Sequence, residues 1–167
     1  MKLFTFYSIK FIFSWVAKFI HLKGLHVLSY ALGYLNHNSE DRRDVALELE
    51  SEIIKCIKAI VNTKIGGKEV MDHPEYIHAV VFSILCPQWQ TRKMVCELLA
   101  FLCYREGYEH VVRGFELLKK YKKTLGLYDA WIKVFLRTIV HDKYLSNEKL
   151  PESHLMEYAV SISLFLF

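Results

Sequence analysis

A shift of 41 residues lays Glu52 to Met71 onto Lys93 to Val112 and brings Gly66 onto Gly107. Ile53 then meets Met94, Ile54 meets Val95, Ile57 meets Leu98 and Ala59 meets Ala100. Ile60 and Val61 fall on Phe101 and Leu102, and Val70 and Met71 on Val111 and Val112. The recurring unit is an apolar helix, a turn marked by glycine, and a short helix. A unit of this kind cannot bury its apolar face alone and must stack on its neighbours. The repeat therefore predicts an all-α chain built as a helical solenoid. No alternating strand pattern or hairpin turn competes with it.

The first copy of the corner is EIIKCIKAIVNTKIGG, Glu52 to Gly67. Ile53, Ile54, Ile57, Ala59, Ile60 and Val61 recur at the three- and four-residue steps of one helical face. Asn62, Thr63 and Lys64 follow, and Gly66-Gly67 reads as positive-φ backbone for a tight exit. Polar groups at the mouth of a rigid helix are well placed to meet a partner. A plain helix C-cap would carry the same residues.

Along the chain, Phe11 to Leu22 and Leu25 to Leu35 read as helices separated by Gly24, and Asn36-His37-Asn38 ends the second. Ser39 is a candidate N-cap for a third helix ending near Val61, with Glu40 and Asp41 against its N-terminal dipole. Its charged first half, Asp41 to Glu52, reads as a solvated face. Lys68 to Met71 reads as a short helical turn. Pro74 suits the first turn of a helix over Glu75 to Leu85, which Cys86-Pro87 stops. Thr91 to Cys103, His110 to Tyr121, Leu127 to Val140 and Leu155 to Leu166 complete the set. The period is close to that of armadillo and HEAT repeats, roughly 40–47 residues.

Hydrophobic residues at 53% and charged ones at 24% suit a folded domain. A net charge of +4 fits an acidic protein patch or lipid headgroups and falls short of a nucleic-acid signature. Cys56, Cys86, Cys96 and Cys103 lack paired spacing and lie in apolar runs, the pattern of buried free thiols. Leu3 to Ile20 is apolar, but Lys10 and Lys18 interrupt it below the roughly 20 residues of a spanning helix.

No P-loop, GxGxxG, HExxH or GxSxG occurs, so no enzyme, cofactor or metal site is expected. His154 and Glu157 lack the second half a carboxylate-bridged site needs. Trp15, Trp89 and Trp131 read as core or turn anchors. Lys119, Lys120, Lys122 and Lys123 form the one basic run, at a helix C-terminus that favours cations. A solvated helix end and a contact with anionic lipid or an acidic partner both fit it.

Six collinear stretches carry a resemblance: SWVAKFIHLKGLHVL, EIIKCIKAIVNTKIG, HPEYIHAVVFSILCPQWQTRKMVCELLAFLC, GYEHVVRGFELLKKYK, YDAWIKVFLRTI and LMEYAV. Together they resemble the N-terminal regulatory region of fungal diaphanous-related formins. There, a GTPase-binding segment runs into the armadillo-type third formin homology domain. The apolar lead-in over 1–13 departs from the family's polar one; beyond it the resemblance implies the helical end of the GTPase-binding segment over 14–38 and armadillo-type repeats over 39–167, a right-handed solenoid incomplete at both ends. It also implies docking of a GTP-loaded Rho-family GTPase on the N-terminal helices and first repeat. Docking would displace a C-terminal autoinhibitory segment and free actin nucleation elsewhere in the formin, at the cortex of growth or division sites in the cytoplasm. The family's Asn-Asn-Lys-x-Gly turn matches Asn62, Thr63, Lys64, Ile65 and Gly66, with Thr63 in place of the second Asn. A dimerisation or cortical-anchoring scaffold blind to nucleotide is the alternative reading, and a membrane-tethered helical protein is a third.

Overall fold

Apolar residues at helical spacing wind into helices throughout residues 14–37 and 44–145, the parts of the chain that the computed structural model describes. Helix α1 spans 14–21, and a turn at Leu22 and Lys23 leads into α2, Gly24–His37. Then come α3, Asp44–Val61, α4, Lys64–Asp72, and α5, Pro74–Phe82, which tightens into a 3-10 turn at Ser83–Leu85. Helix α6, Trp89–Leu102, passes through a π-type segment, Cys103–Gly107, into α7, Tyr108–Lys122. Helix α8 spans Asp129–Leu145. No strand occurs among the described residues. The apolar lead-in, the Ser39 cap, the His154 and Glu157 pair and the Leu155 to Leu166 segment lie outside them.

The helices stack in two rows. Helix α5 packs against α2 on one side and α7 on the other, while α3 packs on α6. The 41-residue register is visible in the core. Ile54 and Val95, Ile57 and Leu98, Val61 and Leu102, and Val70 and Val111 are buried in pairs. Each pair is one inward position of one unit, used twice. Polar ties join neighbours within a row. Asn36 Nδ2 on α2 donates to Ser83 Oγ at 3.0 Å and to Ala79 O at 3.4 Å. Phe115 on α7 meets Tyr128 and Trp131, closing the stack toward α8.

Several expectations change. Glu50 is fully buried, although Asp44, Glu48 and Glu52 around it are exposed as a solvated face would be. Its position lies three, four and seven residues before Ile53, Ile54 and Ile57, so it shares their inward face. Cys86 and Cys96 are buried and Cys103 is half-buried, but Cys56 is exposed, beside Lys55 on the outer face of α3. Burial pushes the Cys96 thiol up to about 12, which leaves it protonated and unreactive. Trp131 is a core residue, whereas Trp15 is half exposed and stacks on Phe19 with ring centroids 5.3 Å apart. Among the described residues, no helix is long and apolar enough to cross a membrane.

The glycines act differently from the expected positive-φ exit. No glycine in the described residues has positive φ. Gly66 and Gly67 lie inside the first turn of α4, which starts at Lys64 and not at Lys68. What Gly66 supplies is the absence of a side chain: a Cβ there would lie 2.1 Å from the Ile60 carbonyl oxygen. Gly107 repeats the role, since its Cβ would lie 2.8 Å from the Leu102 carbonyl oxygen. In both copies a glycine lets the new helix start against the carbonyl end of the previous one.

Candidate partner-binding corner

Helix α3 ends at Val61 and α4 begins at Lys64, leaving Asn62 and Thr63 as the whole turn. Thr63 is its hinge. With extended backbone (φ −86°, ψ 152°), its Oγ1 accepts from Gly66 N at 3.0 Å and donates to Ile60 O at 2.7 Å. The hydroxyl thus adds a second donor to the Ile60 carbonyl, which also accepts from Thr63 N at 2.9 Å, and caps an otherwise open N–H of α4. Thr63 is half-buried and its side chain is engaged within the turn, while Asn62 and Lys64 are exposed on either side. Thr63→Ala is therefore expected to lower stability by about 1 kcal/mol, read as a shift in the urea midpoint. Thr63→Asn should restore it, because an amide carries both an acceptor and a donor.

Lys64 borders an open cleft of ≈ 600 Å³ between α4 and the end of α6. Val61, Ile65, Met71, Phe101 and Leu102 give it an apolar lining, and Lys64, Lys68, Glu69, Asp72 and Arg105 supply the charges. Lys68 and Asp72 pair with each other, and Glu69 lies beside an imidazole. Lys68 Nζ lies 3.6 Å from Asp72 Oδ2, and Glu69 Oε1 lies 3.6 Å from His73 Nε2. Lys64 and Arg105 have no ion pair among the described residues. Arg105 was not among the residues singled out by sequence. The signal was present in the 41-residue register, which places Arg105 opposite Lys64.

The lysine run is a separate feature. Helix α7 ends at Lys122 and Lys123 takes a left-handed conformation (φ 52°, ψ 43°). Thr124 N donates to Lys119 O, and Lys123 N to Lys120 O, closing the helix end. Lys120, Lys122 and Lys123 are exposed and Lys119 is half-buried. The run lies at the C-terminal end of α7 and the cleft near its N-terminal end, about 22 Å apart at 1.5 Å per residue. The structure does not bring the two together. Among the described residues no cluster of His, Cys, Asp or Glu could hold a metal ion.

Helix α2 adds an apolar face. Val27, Tyr30 and Tyr34 recur at helical spacing and are each more than half exposed. At its start, His26 meets the Tyr76 ring, which stacks on His73 at the α4–α5 junction.

Two rows of stacked helices with a repeated glycine-marked corner define an all-α helical-repeat domain, a scaffold class that presents residues along its corners and faces. The sequence profile of the Diaphanous GTPase-binding domain matches residues 10–104, and the chain belongs to that family. It is 31% identical to the cytokinesis protein sepA of Emericella nidulans over 92% of its length, which is 10% of that protein. It is 27% identical to the cell fusion protein fus1 of Schizosaccharomyces pombe over 92% of its length and 12% of that protein's. Formin BNR1 of Candida albicans is 26% identical over the same share of the chain, covering 10% of the relative. The chain thus spans about a tenth of these relatives. No solved structure matches it. The resemblance to the GTPase-binding region of diaphanous-related formins holds, and so does the all-α repeat fold.

Proposed function

We propose that this formin regulatory domain binds a Rho-family GTPase in its GTP form, through the α3–α4 corner and the exposed face of α2. The observation that carries this reading is the corner: Asn62 and Lys64 stand exposed at a turn whose shape Thr63 fixes from within. A preformed turn loses little freedom on binding, so its donors are available for affinity and specificity. Asn62 offers a two-way amide, Lys64 a cation for a partner carboxylate, and Thr63 positions both. Val27, Tyr30 and Tyr34 supply the apolar area that a lasting contact needs.

Within a full-length formin, GTPase docking would act by favouring an open state over one held closed by a C-terminal autoinhibitory segment. Actin is reached only indirectly, and the setting is the cytoplasm and the actin-rich cortex of growth or division sites. The exposed lysines Lys120, Lys122 and Lys123, with Lys119 beside them, favour a second, peripheral contact with anionic lipid or an acidic partner.

The test is binding to a panel of Rho-family GTPases with Asn62→Asp and Lys64→Glu as variants. Both are exposed changes at one corner and should leave the fold intact. Each is expected to weaken binding to the GTP form about tenfold or more. Unchanged binding by both variants would remove the corner from the interface.

A further inference from the structure

The second copy of the corner carries its own unmatched cation. Arg105 occupies the position of Lys64 one repeat later, and both border the same cleft. Its backbone leaves the helix to get there. Arg105 (φ −92°, ψ 28°) and Glu106 (φ 70°, ψ 10°) interrupt the π-type segment between α6 and α7. A non-glycine residue at positive φ is disfavoured and persists only where its surroundings hold it. The excursion swings the Arg105 guanidinium over the Phe101 ring at 5.5 Å and toward the first corner. There a Cβ placed on Gly67 would come within 3.5 Å of Arg105 Nη2. The cleft thus has an apolar lining between two exposed cations from successive repeats, and of its own acids Asp72 pairs with Lys68 while Glu69 lies beside His73. Arg105 lies just beyond the family match, which ends at residue 104.

We propose that Lys64 and Arg105 form a two-repeat clamp, in which the cleft takes an apolar side chain of the bound GTPase and the two cations pair with carboxylates flanking it. This rests on the GTPase-binding reading and adds to it a specificity determinant outside the first corner. A guanidinium held over an aromatic ring keeps its fork free for a carboxylate and is less hydrated than an ammonium, so Arg105 suits a partly buried interface ion pair. Two cations a repeat apart also reject a partner whose facing surface is basic.

The experiment measures affinity of the full chain for the panel GTPase that binds it best in the GTP-analogue form, across a salt series. Wild type is compared with Arg105→Glu, Arg105→Lys and Lys133→Glu. Lys133 is exposed on α8 and provides the same charge change outside the cleft. Urea midpoints establish that each variant is folded. The expected result is a loss of about tenfold for Arg105→Glu, a smaller loss for Arg105→Lys, a shallower salt dependence, and less than twofold change for Lys133→Glu. Retention of wild-type affinity and salt dependence by Arg105→Glu, while Lys64→Glu still weakens binding, overturns the clamp and leaves the GTPase reading intact. Failure of wild type to bind any GTPase in either nucleotide state overturns both, and is seen before any variant is compared.

Discussion

Gly66→Ala is expected to lower the stability of the domain by about 3 kcal/mol, the upper end of the usual cost of overpacking. The added Cβ would sit 2.1 Å from the Ile60 carbonyl oxygen and 2.7 Å from both the carbonyl carbon and Cγ2 of Ile60. Two of these three atoms are backbone, so a rotamer change cannot relieve the clash. Relief requires α4 to move away from the end of α3, and the Thr63 cap holds those two ends together. Urea unfolding followed by circular dichroism reads the effect as a fall in midpoint at nearly constant slope. Gly33→Ala is the control, since a Cβ at Gly33 meets nothing within 4 Å and the residue is in mid-helix. There alanine should stabilise, by about 1 kcal/mol at most. A Gly66→Ala midpoint equal to wild type would mean that the glycine is no structural requirement of the corner.

The second large effect is at Arg92. This residue is fully buried in the first part of α6, where its Nη1 donates to Cys86 O at 2.6 Å and to Pro87 O at 2.8 Å. Those carbonyls belong to the chain as it leaves the 3-10 turn after α5, where Pro87 has no N–H of its own to offer. A buried carbonyl without a donor costs about 1–3 kcal/mol, and hydrogen bonds from a charged group lie at the strong end of the range. Arg92→Met keeps most of the stem's packing and removes the donors, so the expected loss is about 3 kcal/mol in the same unfolding assay. Arg92→Lys should recover only part of it, because a single ammonium lacks the planar fork. Equal stability of the Met variant and wild type would show that the guanidinium's own desolvation cancels what its bonds contribute.

Arg92 also marks where the sequence stops being informative. The helices are legible because burial repeats at the helical period, and the paired core positions from Ile54 and Val95 to Val70 and Val111 follow from one register. Charges carry no such label. Glu50 and Arg92 each lie three, four and seven residues before buried positions of their own helix, so spacing sets them inward while their residue type argues for solvent. For Arg92 the partners are the Cys86 and Pro87 carbonyls, close in sequence but aimed at the guanidinium only by the shape of the turn before α6.

Glycine is ambiguous in a different way. Gly66-Gly67 correctly marked a special corner, but glycine serves both positive φ and close approach, and the sequence does not separate the two. The positive φ falls instead on Lys23, Glu106 and Lys123, the first two each one residue before a glycine. For the candidate site, the exposure of Asn62 and Lys64 was readable from a polar turn after an apolar helix. The capping role of Thr63 needed the geometry of its hydroxyl. Arg105 needed both the repeat register and the cleft.

The most direct measurement is the affinity of the unmodified chain for one Rho-family GTPase loaded in turn with a GTP analogue and with GDP, by calorimetry at fixed salt. A domain that reads the nucleotide state is expected to prefer the GTP form by a factor within the roughly 5–150-fold range of allosteric couplings. Equal affinity for the two forms across the GTPase panel, from a chain whose unfolding transition shows it to be folded, would contradict the account.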